Sequence, residues 1–354
     1  METEIYTLLK FAIDNEASDL HLCVGSPPIV RIDGDMLKTN LDSLDSATIH
    51  SLVYDVMSDE QRKIFEENWE IDFSRQIKGI GRFRVNVYKD LHGEAAVFRA
   101  IPTKVFTFKE LGIPDIVVNI ASQDKGLVLV TGPTGSGKST TLATIIDYIN
   151  KNFKKHIITI EDPVEFVHVS EQSLVNQREI GFNTKSFAAA LRSALREDPD
   201  VILVGEMRDL ETTSLAITAA ETGHLVFATM HTNSAAKTID RIIDQYPAAQ
   251  QAQIRAMLSE SLLAVISQIL LKHASGRGRV AAFEIMIGTS GIRNMIRESK
   301  VFQIPSSIQT GSNVGMVSID QSLVRLAQEG KIETHTAVQS AVNPSYVKKN
   351  LGLE

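Results

Sequence analysis

A glycine-rich segment between an apolar run and a helical pattern constrains the fold of this chain most. Gly132, Gly137, Lys138 and Ser139 match the spacing G-x-x-x-x-G-K-[ST]. The preceding residues 127–130 are leucine and valine only, which is typical of a parallel strand covered on both faces. After the segment, apolar residues recur at helical spacing from 142 to 149. The sequence therefore predicts a strand, a phosphate-binding loop and a helix in that order.

The chemistry of such a loop indicates its ligands. Glycines let successive backbone N–H groups turn inward towards an anion, and the N-terminus of the next helix adds partial positive charge. Lys138 is expected to reach the β- and γ-phosphates of ATP, and the Ser139 hydroxyl is expected to ligate Mg²⁺. The predicted binding loop comprises Gly132, Pro133, Thr134, Gly135, Ser136, Gly137, Lys138, Ser139 and Thr140.

Composition sets the class of the protein. The chain has 354 residues, 43% of them apolar and 22% charged, which is ordinary for a globular protein of about two domains. A net charge of −7 argues against nucleic acid as a partner. A single cysteine, Cys23, excludes an intrachain disulfide or a four-cysteine zinc site and suits the cytoplasm. No signal peptide is expected, and an apolar run of about ten residues is too short to insert into a membrane.

The pattern of elements divides the chain into two parts, giving an α/β fold class. Residues 1–100 predict a small mixed α/β domain with a first helix and two strand pairs, and residues 101–114, which contain Pro102 and Pro114, predict a linker. Residues 115–354 alternate strands and helices, so a largely parallel sheet with ligands at its carboxyl edge is expected. The predicted strands of that sheet are 127–130, 157–160, 201–204 and 225–230. Residues 248–272, and the region from about 275 to 354, are expected to be mostly helical.

Acidic residues follow two of these strands. Glu161 comes directly after strand 157–160, with Asp162 and Glu165 close behind, and Glu206 follows strand 201–204 after one glycine. Carboxylates beside a phosphate loop position water or hold Mg²⁺, so Glu206 and Glu161 are predicted catalytic residues and Glu206 is also a predicted metal ligand. The division of roles between the two stays open.

Histidines and arginines complete the candidate site. His231 follows strand 225–230 at the ligand edge, where it is expected to contact the γ-phosphate, whereas His224 precedes that strand. A site of this kind commonly takes an arginine from elsewhere in the protein or from another subunit. The candidates for that arginine are Arg82, Arg84, Arg99, Arg192 and Arg196.

Four segments resemble motifs of the type II/IV secretion ATPases. In order, the Walker A motif, acidic box, atypical Walker B motif and histidine box are matched by GPTGSGKST, IEDPVEF, REDPDVILVGEMRD and TGHLVFATMHTNSAAKTIDRI. GIRNMIRESK, residues 291–300, resembles the AIRNLIRE signature of the pilus-retraction branch of this family, with Gly291 and Met295 replacing alanine and leucine. The similarity covers essentially the whole chain.

This resemblance implies a homohexameric ring with a PAS-like N-terminal domain and a RecA-like ATPase domain. It implies that ATP hydrolysis drives type IV pilus retraction and twitching motility from the cytoplasmic side of the inner membrane. The implied partners are a pilus platform protein in that membrane and other pilus ATPases. It also implies that arginines of the N-terminal domain, among Arg82, Arg84 and Arg99, approach the phosphates. The family's extension ATPases carry a four-cysteine zinc module and a longer N-terminal region, and their absence here favours retraction.

Two other functions stay open on the sequence alone. RecA-like rings also move nucleic acid, although the acidic balance of this chain argues against a translocase. An ATP-binding subunit that only regulates a faster pilus motor is the other alternative, and the acids at 161 and 206 argue against it. A small-molecule kinase is disfavoured because no acceptor-binding lid is evident.

Overall fold

The structure is a computed structural model that describes residues 4–32, 34–101 and 105–353. It forms two compact units, Met1–Thr103 and Lys104–Glu354. The helices in the described part of the first unit are α1 (Ile5–Asp14), α2 (Ser46–Tyr54) and α3 (Asp59–Asn68). Its strands are β1 (Asp19–Cys23), β2 (Ile29–Ile32), β3 (Asp35–Lys38), β4 (Glu70–Ile77), β5 (Gly81–Lys89) and β6 (Glu94–Ile101).

The six strands of the first unit form one antiparallel sheet in the order β3-β2-β1-β6-β5-β4. Alternation along β5 buries Phe83, Val85 and Val87 against the helices, so that the side chains between them lie on the other face. The first helix and both predicted strand pairs are therefore confirmed. A capping box at Ser58 and Gln61 fixes the start of α3.

The second unit contains the remaining elements. Its helices are α4 (Phe108–Leu111), α5 (Ile116–Ala121), α6 (Lys138–Asn152), α7 (Phe187–Ala194), α8 (Leu210–Glu221), α9 (Ala235–Asp244), α10 (Ala248–Ser261), α11 (Ser290–Arg297), α12 (Ile304–Thr310), α13 (Ile319–Gln328), α14 (Thr334–Ser340) and α15 (Pro344–Asn350). Its strands are β7 (Gly126–Thr131), β8 (His156–Glu161), β9 (Leu174–Glu179), β10 (Val201–Val204), β11 (Leu225–Met230), β12 (Leu262–Lys272) and β13 (Arg279–Ile287).

A seven-stranded sheet organises this unit in the order β13-β12-β7-β11-β10-β8-β9. All neighbouring strands are parallel except β12 and β13, which are antiparallel. Helices α5 and α6 pack on one face, and α7 to α10 pack on the other. Because both faces are covered, every residue of β7, β10 and β11 is buried. The four strands predicted from the sequence and their parallel arrangement are confirmed.

One expectation about the last third of the chain is wrong. Residues 248–272 were expected to be helical, but the helix ends at Ser261 and residues from Leu262 form β12, the neighbour of β7. The region from about 275 likewise begins with β13, and the α-helices resume only at Ser290. The run in β12 is apolar at almost every position because the strand lies inside the sheet, and periodicity cannot separate such a run from a buried helix.

The predicted linker, residues 101–114, is described only in part. Pro102, Thr103 and Lys104 lie outside the described residues, and the rest contains α4, whose start is capped by Thr107 and Glu110. That these residues link two domains remains a prediction. Among the described residues, none of the helices combines the length and apolar character that a bilayer crossing demands.

The assignment of β12 as an interior strand makes a testable prediction. Val265→Ala removes two buried carbons, so the free energy of unfolding should fall by about 2–3 kcal/mol. Val342→Ala, the matched change at a side chain that is 80% exposed, should alter it by less than about 0.5 kcal/mol. Urea unfolding of both variants checks this, and equal effects would contradict the burial of β12.

Candidate active site

The loop between β7 and α6 adopts a conformation that requires glycine. Gly132, Gly135 and Gly137 have φ values of +146°, +77° and +88°, in the region that side chains disfavour. At Gly132 a Cβ would lie 2.3 Å from the backbone oxygen of Gln268. Gly137 occupies the N-cap position of α6, a helix of 15 residues, so the amides at its N-terminus border the loop.

A side chain of β12 holds this loop from below. Gln268 is buried, donates from Nε2 to the carbonyl oxygen of Ser136 at 2.6 Å and accepts from the Thr141 hydroxyl at 2.8 Å. One amide therefore fixes both the loop and the first turn of α6. Sequence reasoning missed Gln268 because it assigned this segment to a helix.

Lys138 lies within the loop that it belongs to. Its Nζ donates to the carbonyl oxygens of Gly132 and Pro133 at 2.9 and 3.1 Å. Burial lowers the pKa of Lys138, an effect opposed by the charges of Glu206 and Glu165. The ammonium is thus a desolvated cation whose hydrogen bonds among the described residues go to carbonyl oxygens, which a phosphate oxygen can replace.

Glu206 follows β10 and is held by two partners. Its Oε2 lies 2.7 Å from Nη2 of Arg208, and its Oε1 lies 3.2 Å from Nε2 of His231. Burial opposes ionisation of this carboxyl, but the hydrogen bond from Arg208 and the proximity of His231 outweigh burial, so its pKa is lowered. Both carboxylate oxygens are therefore oriented before any ligand arrives.

His231 connects Glu206 to the loop. It directly follows β11, and its Nδ1 lies 3.5 Å from the Thr134 hydroxyl while Nε2 faces Glu206. His224, at the opposite end of β11, bonds through Nδ1 to the carbonyl oxygen of Ala219 and stays at the other edge of the sheet. The structure thus separates the two histidines as predicted and brings only His231 to the loop.

Glu161 ends β8 and is half-buried. It accepts from the Thr159 hydroxyl at 2.6 Å, from Nε2 of Gln177 at 3.2 Å and from the Glu165 backbone N–H at 3.4 Å. Burial raises the pKa of Glu161 despite these hydrogen bonds, and the Glu165 charge raises it further.

These groups share one cavity of about 440 Å³, built entirely from the second unit. The loop lines it with Thr134, Gly135, Gly137, Lys138, Ser139 and Thr140. Across from the loop, Glu161, Asp162, Glu165, Glu206 and His231 line it together with Arg208 and Arg279. Sequence reasoning missed both of these arginines. Arg208 could have been noticed two positions after Glu206, whereas nothing local marks Arg279.

The predicted arginines lie elsewhere. Arg192 forms an ion pair with Glu211, and neither Arg192 nor Arg196 is among the described residues that line the cavity. Arg82 and Arg84 lie on β5 of the first unit, where Arg84 is the cross-strand partner of Arg99 on β6. Arg99 donates from Nε to Asp19 at 2.8 Å, while Nε of Arg84 is 3.8 Å from Asp72.

The model of the family described as "Type II/IV secretion system protein" matches residues 1–313. The chain belongs to this family. It is 57% identical over 341 residues to the type IV pilus retraction ATPase PilT of Pseudomonas aeruginosa, covering 96% of this chain and 99% of PilT. It is 56% identical over 316 residues to a twitching motility protein of Neisseria gonorrhoeae, covering 89% and 84%.

A solved member of the secretion family also matches this structure. It is the crystal structure of the pilus retraction motor PilT with bound ADP, with a TM-score of 0.92, 49% identity and coverage of 98% of this chain and 100% of that one. The fold class predicted from the sequence, a RecA-like ATPase domain beside a smaller PAS-like domain, is confirmed, as is the family resemblance.

The donor set of this secretion-family site fits magnesium. Among the described residues no group of three or more histidine, cysteine, aspartate and glutamate side chains forms a metal cage. Mg²⁺ is usually held by one or two protein oxygens together with substrate phosphates and water, which Ser139 and Glu206 in one cavity provide.

The conformation of the loop predicts the effect of a single methyl group. Gly132→Ala places Cβ against the Gln268 backbone at a strained φ, so the loop must shift and affinity for ADP should fall at least about tenfold. Gly291→Ala, in α11, meets no atom closer than 3.9 Å and should leave affinity unchanged. Titration with a fluorescent ADP checks both, and unaltered affinity in Gly132→Ala would contradict this account of the loop.

Proposed function

We propose that this chain hydrolyses ATP and that the energy drives retraction of a type IV pilus. One observation carries the enzymatic part. Lys138 of the phosphate loop shares a single cavity with Glu206, Glu161 and His231, each delivered by the end of a different strand. Phosphate binding and activation of water need these groups side by side. The similarity to PilT supports the mechanical output.

The residues act on the substrate as follows. The loop amides and Lys138 would bind the β- and γ-phosphates, and Thr134 and His231, which line the same cavity, would contact the γ-phosphate. Ser139 and Glu206 would hold Mg²⁺, which when bound neutralises charge on the phosphates. Water attacks the γ-phosphorus, the bond to the bridging oxygen of ADP breaks, and a carboxylate accepts the proton. Of the carboxylates that line the cavity, Glu206 and Glu161 are the proposed acceptors.

Assembly and location extend this proposal. The sequence resembles hexameric ATPases, and the exposed guanidinium of Arg99 can serve a neighbouring subunit, so we propose a homohexamer with Arg82, Arg84 or Arg99 contributing to each site. Work on a pilus requires a platform protein in the inner membrane as partner, and the substrate ATP requires the cytoplasmic side. Hydrolysis then changes the angle between the two units, with residues 101–114 as the hinge.

Loss of the loop lysine or of Glu206 tests the enzymatic proposal. Lys138→Ala should abolish ATP binding, because it removes the cation that binds the phosphates. Glu206→Gln should keep ATP binding but lower turnover at least about a hundredfold, because it removes a carboxylate that the reaction needs. Phosphate release across protein concentrations, with and without DNA, is the measurement. Phosphate release per chain should rise with protein concentration and should not change when DNA is added. Normal turnover in either variant would overturn the site, and stimulation by DNA would favour a translocase.

The pH dependence of turnover distinguishes the two carboxylates. Burial raises the pKa of Glu161 from its ordinary value, so a reaction that needs the ionised carboxylate loses rate as pH falls through this raised pKa. The kcat profile between pH 5 and 9 should then show an acidic limb that is absent from the residual activity of Glu161→Gln. A limb that persists in that variant would assign it to another group and leave Glu206 as the acceptor.

A further inference from the structure

Gln177 lies outside the phosphate loop and the strand ends, yet it contacts Glu161. It belongs to β9, the outermost strand of the second sheet, and it is the register partner of Thr159 on β8. Its Nε2 donates to Oε1 of Glu161 at 3.2 Å. The Thr159 hydroxyl donates to the same carboxylate oxygen from the other strand.

The orientation of the Gln177 amide is determined by the backbone that follows Glu161. Nε2 also donates to the carbonyl oxygen of Phe166 at 2.8 Å, and Oε1 accepts from the N–H of His168 at 2.8 Å. If the amide nitrogen and oxygen were exchanged, the nitrogen would face the N–H of His168 and the oxygen would face the carbonyl oxygen of Phe166. Only one orientation therefore satisfies both contacts. Because one N–H of Nε2 donates to Phe166, the other N–H is the one that donates to Glu161.

The same strand holds the loop at another point. Glu179 is buried and accepts from the N–H of Val164 at 3.1 Å. Residues 162–168, which carry Asp162 and Glu165 into the cavity, are thus held at Val164, Phe166 and His168 by β9. The Gln177 side chain contacts both that loop and the Glu161 carboxylate, which also accepts from the N–H of Glu165.

We propose that Gln177 is a positioning residue for the reaction: its amide holds the Glu161 carboxylate and the following loop in one arrangement facing the nucleotide phosphates. This inference rests on the proposed function and deepens it. The donor also stabilises the charged form of a carboxyl that burial pushes towards neutrality. The charged group that acts on Glu161 is Glu165, while Lys138 and Glu206 line the same cavity from the loop and from β10.

The test uses two substitutions of Gln177 that should shift the pKa of Glu161 in opposite directions. Gln177→Met keeps the length of the side chain and removes the donor, so the acidic limb of kcat should move up by about one pH unit. Gln177→Lys places a cation beside Glu161 and should move the limb down. In Gln177→Met, kcat above the limb should fall about tenfold while KM for ATP stays unchanged, because the phosphate loop is untouched.

Asn176→Leu is the matched control. Asn176 precedes Gln177 on β9, and its side chain bonds instead to Nε2 of His156, away from the cavity. Removal of this amide should leave the limb, kcat and KM unchanged, with any loss of stability read from thermal unfolding.

Three outcomes decide the matter. Opposite shifts in the two variants support positioning, because damage to β9 alone would move both in the same direction. If the acidic limb of kcat stays at the same pH in both variants, or if kcat falls by the same factor as in Asn176→Leu, the proposed role of Gln177 is overturned while the ATPase activity stands. A wild-type protein without turnover would overturn the proposed function and this inference together.

Discussion

The site depends on the parallel, in-register pairing of four buried strands. Val204 pairs with Ile160 on one side and with Ala228 on the other, and β11 pairs along its whole length with β7. Parallel strands end at a common edge, so the residues that follow them meet there. Glu161 and Glu206 thereby face the phosphate loop although they lie far from it in sequence. A shift of one residue in any pairing would turn these side chains to the opposite face.

The pKa values of two acids of the cavity are shifted in opposite directions by their surroundings. Glu161 is buried among neutral donors, and burial raises its pKa, whereas in Glu206 the contacts with Arg208 and His231 outweigh burial and lower it. Acid and base roles in other enzymes are often separated by such a difference between paired carboxyls. In the proposed reaction, Glu206 would stay ionised near a cation and Glu161 would gain and lose a proton. The opposite directions of the two pKa shifts follow from the groups that surround each carboxyl.

Sequence reasoning found the parts of this site that are encoded locally and missed those created by tertiary contact. The phosphate loop, Glu161, Glu206 and His231 follow strands with clear apolar patterns, so their common edge could be predicted. The strand β9 escaped notice because it is a polar edge strand with only Glu179 fully buried, and β12 was assigned to a helix because it is apolar at most positions. Gln177 and Gln268 act through partners 16 and 132 residues away, which no local pattern reveals.

Two of the candidate arginines of the first unit, Arg84 and Arg99, differ in how firmly their orientation is fixed. Asp19 is 5% exposed and accepts from Nε of Arg99 and from the Ser18 hydroxyl; burial opposes its ionisation, but these hydrogen bonds prevail and lower its pKa. Arg84 has only an exposed acid at 3.8 Å, beyond hydrogen-bond distance. A guanidinium anchored at Nε keeps the N–H groups of both terminal nitrogens for an anion, and anchoring reduces the entropy lost when it binds. Since the side chain of Arg99 is also 66% exposed, it is better prepared than Arg84 to contact a phosphate outside its own unit.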